Sequence, residues 1–184
     1  MLDGPVFWFW RKKMTESKFE FPTTTVEKVE SNIIAIRLLK QLDKEGKLAT
    51  PEQQIILSKY VGWGGLANAF FKGDRFKKER EELQNLVSDE EYRSMEMSSL
   101  TAYYTDPMIA SEMWQYLVDN GFKGGNILDP AMGTGIFFAT MPKFIRENSI
   151  LYGIELDSLT GALARQLHQD AVVLVQGFET VDFT

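Results

Sequence analysis

An apolar run that ends in an acidic residue and passes straight into a glycine-rich turn constrains this chain more than any other feature. Residues 127–138 read Ile-Leu-Asp-Pro-Ala-Met-Gly-Thr-Gly-Ile-Phe-Phe. A strand closing at Asp129-Pro130 is followed by a tight reversal, because Gly133 and Gly135 reach backbone conformations closed to other residues. The apolar residues beyond Gly135 open a helix expected near 134–146. Its first N–H groups lack intrahelical partners and suit a closely held ligand. The pattern then repeats, with strand 150–154, a helix near 158–168 and strand 171–176. Strand, helix, strand, helix, strand predicts a parallel sheet with right-handed crossovers, the first half of a doubly wound α/β domain.

Upstream the pattern is helical. Thr24-x-x-Glu27 is a capping box, and Val29, Ile33, Ile36, Leu39 and Leu42 follow it as one apolar stripe. Thr50-Pro51-Glu-Gln53 repeats the start signal for a helix reaching about Tyr60, where Val61-Gly-Trp-Gly-Gly65 breaks it. Residues 74–87 read as a charged, solvated helix, and the cluster Arg75, Lys77, Lys78 and Arg80 is interleaved with Glu79, Glu81 and Glu82. Ser88-x-x-Glu91 caps another short helix. Thr105-Asp106-Pro107 opens an amphipathic one that closes at Asn120-Gly121.

Residues 6–21 read as a β-hairpin of two aromatic strands around the polar turn Thr15-Glu-Ser17. The segmentation is therefore an aromatic, basic hairpin over 1–22, a helical region over 23–100 and a partial α/β domain over 101–184.

Composition removes several chemistries. The chain has 184 residues, a net charge of −6 and no cysteine, so disulfides and thiolate metal sites are excluded. One histidine, His168, rules out multi-histidine zinc sites and paired-histidine acid–base chemistry. No metal centre is expected, and His168 itself reads as a cation at a helix C-terminus or a partly exposed polar residue. The absence of cysteine fits a cytoplasmic protein, and no apolar run approaches the roughly 18 residues of a membrane span.

With an acidic chain, contact with nucleic acid must come from a local patch. Phe7, Trp8, Phe9 and Trp10 beside Arg11, Lys12 and Lys13 combine stacking surfaces with phosphate-binding cations. A base stacked on an aromatic ring contributes about 1–3 kcal/mol, so single-stranded RNA is a fitting partner for this segment. The competing expectation is that these rings pack on the body of the protein and leave the lysines solvated.

The later motifs carry a family resemblance. Leu128-Asp-Pro-Ala-Met-Gly-Thr-Gly135 resembles the cofactor-cradling motif of adenine-N6 DNA methyltransferases whose cofactor half precedes the catalytic half. Tyr103-Tyr-Thr-Asp-Pro107 resembles the Tyr-Thr-Pro element of that family. The stretch from Tyr60-Val-Gly-Trp-Gly-Gly-Leu66 to Phe178 looks like the large methylase–helicase proteins of plasmids and conjugative elements. The resemblance implies a Rossmann-like S-adenosylmethionine (SAM) fold with about three parallel strands. It implies a cofactor site of Tyr104, Thr105, Asp129, Pro130, Gly133, Gly135, Glu155 and Asp157. Glu155 falls at the ribose position, Asp157 or Ser158 near the adenine. SAM is the implied cofactor, or the cleft is vestigial.

Two departures stand against full activity. Gln176-Gly-Phe-Glu179 lies where many relatives place an aspartate against the adenine. The family's catalytic Asn/Asp-Pro-Pro-Tyr/Phe motif occurs nowhere in the 184 residues, so methyl transfer by this chain alone is not expected. In the full fold a fourth strand would lie beside the first. Without it that strand keeps an open edge, expected to be covered by the hairpin or by self-association into a homodimer.

Small proteins of mobile-element ancestry resemble anti-CRISPR proteins of type II systems. That likeness implies an inhibitor of Cas9 acting on its guide RNA or the Cas9–guide complex through residues 7–13, with RNA cleavage as a further activity. The alternative is the cofactor-binding lobe of an adenine-N6 methyltransferase whose catalytic half lies outside this chain.

Overall fold

A computed structural model describes residues 21–102 and 104–182. They fall into two compact units, with the division between Tyr104 and Thr105. The hairpin and the nucleic-acid contacts expected of Phe7 to Lys13 lie outside the described residues.

The first unit is helical. Helix α1 (Thr25–Glu45) starts where Thr24 and Glu27 cap each other reciprocally and stops at Gly46, whose φ of 61° ends the helix in the left-handed region. Its stripe Val29, Ile33, Ile36, Leu39 and Leu42 is buried as the spacing predicts. Helix α2 (Pro51–Leu57) carries the same reciprocal cap through Thr50 and Gln53. It ends at Leu57, short of the expected Tyr60, because the backbone tightens there: the N–H groups of Lys59 and Tyr60 reach back only three residues, to Ile56 and Leu57. A π-helical turn (Ala67–Phe71) then leads to α3 (Lys77–Leu86) and α4 (Asp89–Thr101). Helix α4 is longer than the short helix expected after Ser88.

One polar side chain organises this unit. Asn32 is fully buried within the apolar stripe of α1. Its Nδ2 donates to Gly62 O at 2.6 Å and its Oδ1 accepts from Val61 N at 2.9 Å. Asn32 therefore satisfies an N–H and a C=O on two successive residues of the glycine loop, from two different peptide groups. Beyond it Trp63 is buried against Phe70, with ring centroids 4.6 Å apart.

The second unit is α/β. Helix α5 (Pro107–Asp119) is capped by Asp106 and has proline at its first position. Strands β1 (Asn126–Asp129), β2 (Ile150–Glu155) and β3 (Val172–Val175) pair in parallel in the order β1-β2-β3. The single helix expected near 134–146 is instead two, α6 (Ile136–Thr140) and α7 (Lys143–Glu147). Pro142 separates them, because it cannot donate the hydrogen bond that a continuous helix needs there. Helix α8 (Ser158–Leu167) joins β2 to β3.

Packing falls on one face of the sheet. Trp114, Phe138, Met141, Ile145 and Ala164 from the helices meet Leu151 and Val173 from the strands. The opposite face carries Leu128, Ile150, Tyr152 and Val172, which are 41%, 55%, 37% and 48% exposed. Towards the C-terminal ends of the strands this exposure fades, with Ile154 buried and Leu174 half-buried. Among the described residues no helix is long and apolar enough to cross a membrane.

Candidate functional site: the strand ends and the glycine turn

Asp129 closes β1, and the proline after it keeps it extended, since the Pro130 ring disfavours a helical conformation in the residue before it. The chain then reverses through Ala131 to Gly135. Gly133 and Gly135 have φ of 56° and 82°, the left-handed region that favours glycine. At Gly135 space reinforces conformation, because a Cβ there would overlap the His168 imidazole.

The amide hydrogens of the turn are engaged inside the protein. Ala131 N donates to Asp129 Oδ1 (3.3 Å), Met132 N to Ile154 O (2.9 Å), Gly133 N to Glu155 Oε2 (2.8 Å) and Gly135 N to Met132 O (2.7 Å). Helix α6, which follows, is only five residues long, so its dipole is weak. Among the described residues the amides of Ile136, Phe137 and Phe138, the first of α6, take no part in these bonds, so the donors expected at the helix start are not closed off.

What the site also presents is carboxylate. Asp129 pairs with Gly153 in the sheet register, and Glu155 ends β2 just beyond. Burial pushes the Asp129 carboxyl above its ordinary value, a hydrogen bond from Ala131 N opposes this, and the neighbouring Glu155 charge adds to the rise. Glu155 bridges, its Oε2 on Gly133 N and its Oε1 on Asp157 N at 2.9 Å. Asp157 caps α8 through Oδ1, accepting from Thr160 N at 2.7 Å. Its carboxylate thus has a structural role at the position expected near an adenine.

Of the sequence-predicted cofactor residues, Asp129, Pro130, Gly133, Gly135, Glu155 and Asp157 come together at the C-terminal edge of the sheet. Thr105 is half-buried in the same unit, directly before the cap of α5. Tyr104 belongs to the helical unit, where its ring occupies the space that a Cβ at Gly62 would need. Glu179 lies in a 3-10 turn (Phe178–Thr180) after β3, folded back over Gly177. Among the described residues no cluster of histidine and carboxylate side chains could hold a metal ion.

The sequence reads His168 as a cation at a helix C-terminus or a partly exposed polar residue; it does end α8, but it is buried and uncharged. It is 5% exposed, with Nε2 2.9 Å from Thr134 O. A carbonyl oxygen only accepts, so Nε2 carries the hydrogen. Burial, aided by the Arg146 charge, lowers the imidazole pKa to about 4 against the pull of Thr134, Asp170 and Gly135. The ring is therefore neutral near pH 7. Met132 and Gly153 were missed as well. Met132 is buried beneath the turn, and its sulfur fills the space that any side chain at Gly153 would occupy. A glycine inside a strand was the available signal, since it marks close approach by another group.

Arg146 completes the support. Its Nη1 donates to Phe138 O at 2.8 Å, and its Nε and Nη2 clasp both oxygens of Asp170, the Nε bond at 2.7 Å. Burial pushes the Asp170 carboxyl up, but those hydrogen bonds and the guanidinium charge outweigh it and hold it below its ordinary value.

Known proteins give one point of comparison. The chain is 29% identical over 150 residues to "Defense against restriction protein B" of Escherichia phage P1. The match takes in 82% of this chain but 5% of the phage protein. No protein family matches the chain, and no solved structure does. The likeness thus relates most of this chain to a small stretch of a phage protein, and the α/β unit is what the structure itself adds.

Proposed function

We propose that the chain is the SAM-binding lobe of a mobile-element adenine-N6 DNA methyltransferase, with a Rossmann-like second unit. The observation that carries this reading is the character of the strand ends: carboxylates at Asp129 and Glu155 beside the glycine turn. Such an edge favours a ligand that brings cations and hydroxyl donors. It disfavours one whose phosphates would face these carboxylates, since like charges repel at close range. SAM fits this donor set, with an ammonium, a sulfonium and a ribose diol. Once bound, it supplies an electrophilic methyl group. Glu155 would accept from the ribose hydroxyls, and the glycine turn would let the backbone approach the ligand.

Calorimetry of the chain with S-adenosylhomocysteine, SAM, ATP and NAD tests this. The expected result is binding of the two sulfur compounds, its loss in Glu155→Ala, and no heat with ATP or NAD. An absence of heat with both sulfur compounds, or equal binding of ATP, overturns it.

A second reading, inhibition of Cas9 through its guide RNA, rests on the aromatic and basic sequence of Phe7 to Lys13. Incubation with Cas9 and guide RNA, reading DNA cleavage and guide length, decides it. Unchanged cleavage and an intact guide would remove it.

A further inference from the structure

We propose that His168 is the positioning residue of the glycine turn, its Nε2–H holding the Thr134 carbonyl so that Gly133 and Gly135 keep the shape that receives the cofactor. The turn has no support of its own at this point: Gly135 lacks a side-chain cap, and the helix it opens is short. Met132 and Gly133 are tied to β2 through backbone and carboxylate. Among the described residues, the carbonyl of Thr134 is held from another direction, by the residue that ends α8.

His168 is itself fixed on several sides. Its backbone N–H donates to Ala164 O at 2.8 Å and its carbonyl accepts from Ala171 N at 3.0 Å. Its ring stands edge-on to Phe138, with centroids 5.7 Å apart and an interplanar angle of 90°. The charged groups acting on it, Arg146 and Asp170, are locked to one another. A ring so confined can serve as a rigid prop in one tautomer, and the bare Cα of Gly135 is what allows it to come close.

Its consequence for ligand affinity rests on the cofactor reading above; its effect on the turn does not. The test uses the full chain as wild type, His168→Leu and His168→Gln, since glutamine places a neutral N–H donor near the position of Nε2. With one histidine in the sequence, nitrogen NMR reports its tautomer without ambiguity. The expected wild-type result is the Nε2–H form, with no titration between about pH 5.5 and 8. In His168→Leu, exchange of the Gly135 amide should be about tenfold faster while β2 stays protected, the effect expected for one lost hydrogen bond. S-adenosylhomocysteine should bind about tenfold more weakly to that variant, and His168→Gln should restore both values to within about threefold.

An Nδ1–H tautomer, a normal imidazole titration, or unchanged exchange in a folded His168→Leu overturns the proposal. So does a folded His168→Gln that fails to restore the turn. If His168→Leu does not fold, the wild-type tautomer and the glutamine variant decide. If the wild type binds no S-adenosylhomocysteine, the cofactor reading fails, and the exchange measurements still decide whether His168 holds the turn.

Discussion

At Gly153 a single hydrogen in place of a methyl group decides whether the cradle closes. A Cβ there would overlap the Met132 sulfur, and Met132 is buried. Gly153→Ala should cost about 1–3 kcal/mol in denaturant unfolding, the usual range for overpacking. Met132→Ala in the same chain should recover part of that loss, as expected of residues in contact. Buried His168 and half-buried Asp129 make a paired prediction of opposite sign. His168 has a folded pKa near 4 against an ordinary 6.5. Its contribution to stability is therefore complete above about pH 6.5 and lost as pH falls towards 4, by an upper limit of about 3 kcal/mol. His168→Gln should remove that slope from the stability profile. Asp129 is shifted upward, so its protonated form is the one the fold prefers. Asp129→Asn should raise the denaturant midpoint at pH 7, and the gain should shrink as pH falls below the folded pKa. None of this was legible in the sequence, because each effect depends on which distant atom fills a space.

The secondary structure elements were easier to read, for the reason that their signals are local. Thr24 with Glu27, Thr50 with Gln53 and Ser88 with Glu91 each form the reciprocal cap that their spacing implies. Thr24→Ala should cost about 1 kcal/mol in thermal or denaturant unfolding. Hydrogen bonds from the Thr24 and Thr23 backbone hold Glu27 down to about 2 from an ordinary 4.5. The support from this cap is present above about pH 4.5 and lost as pH falls towards 2. The helix after the turn was misread as continuous because its apolar pattern runs through Pro142, which the periodicity does not weigh. Asn32 was passed over because a polar residue in an apolar stripe looks like an error until its partner, about thirty residues on, is in place. Asn32→Leu leaves Val61 N–H and Gly62 C=O without that partner and should destabilise the helical unit by about 2–4 kcal/mol. The rescue expected from Asn32→Gln is poor, since the longer side chain cannot meet both Val61 N–H and Gly62 C=O from the same backbone position.

In the α/β unit, the sheet is covered unevenly among the described residues. Parallel sheets are normally covered on both faces, and among the described residues the packing lies on one, with Leu128, Ile150, Tyr152 and Val172 partly exposed opposite it. The homodimer proposed from the open strand edge draws support from this face. Sedimentation should show association that grows with concentration, and Ile150→Lys with Val172→Lys should reduce it. A protein that stays monomeric at high concentration would argue against it. The order of strands and the carboxylate-ended motif were visible in the sequence, whereas the one-sided packing follows from connections that only the assembled fold displays. The prop beneath the glycine turn also has a meaning in time. Thr134 meets His168 across a separation of 34 residues, and Gly133 meets Glu155 across 22. During synthesis the turn emerges well before either anchor, and closing such loops costs entropy that local contacts do not. The cradle is therefore expected to set last, after β2 and α8 have docked, so that an arrested or slowly folding chain would carry its motif intact and its binding shape unmade.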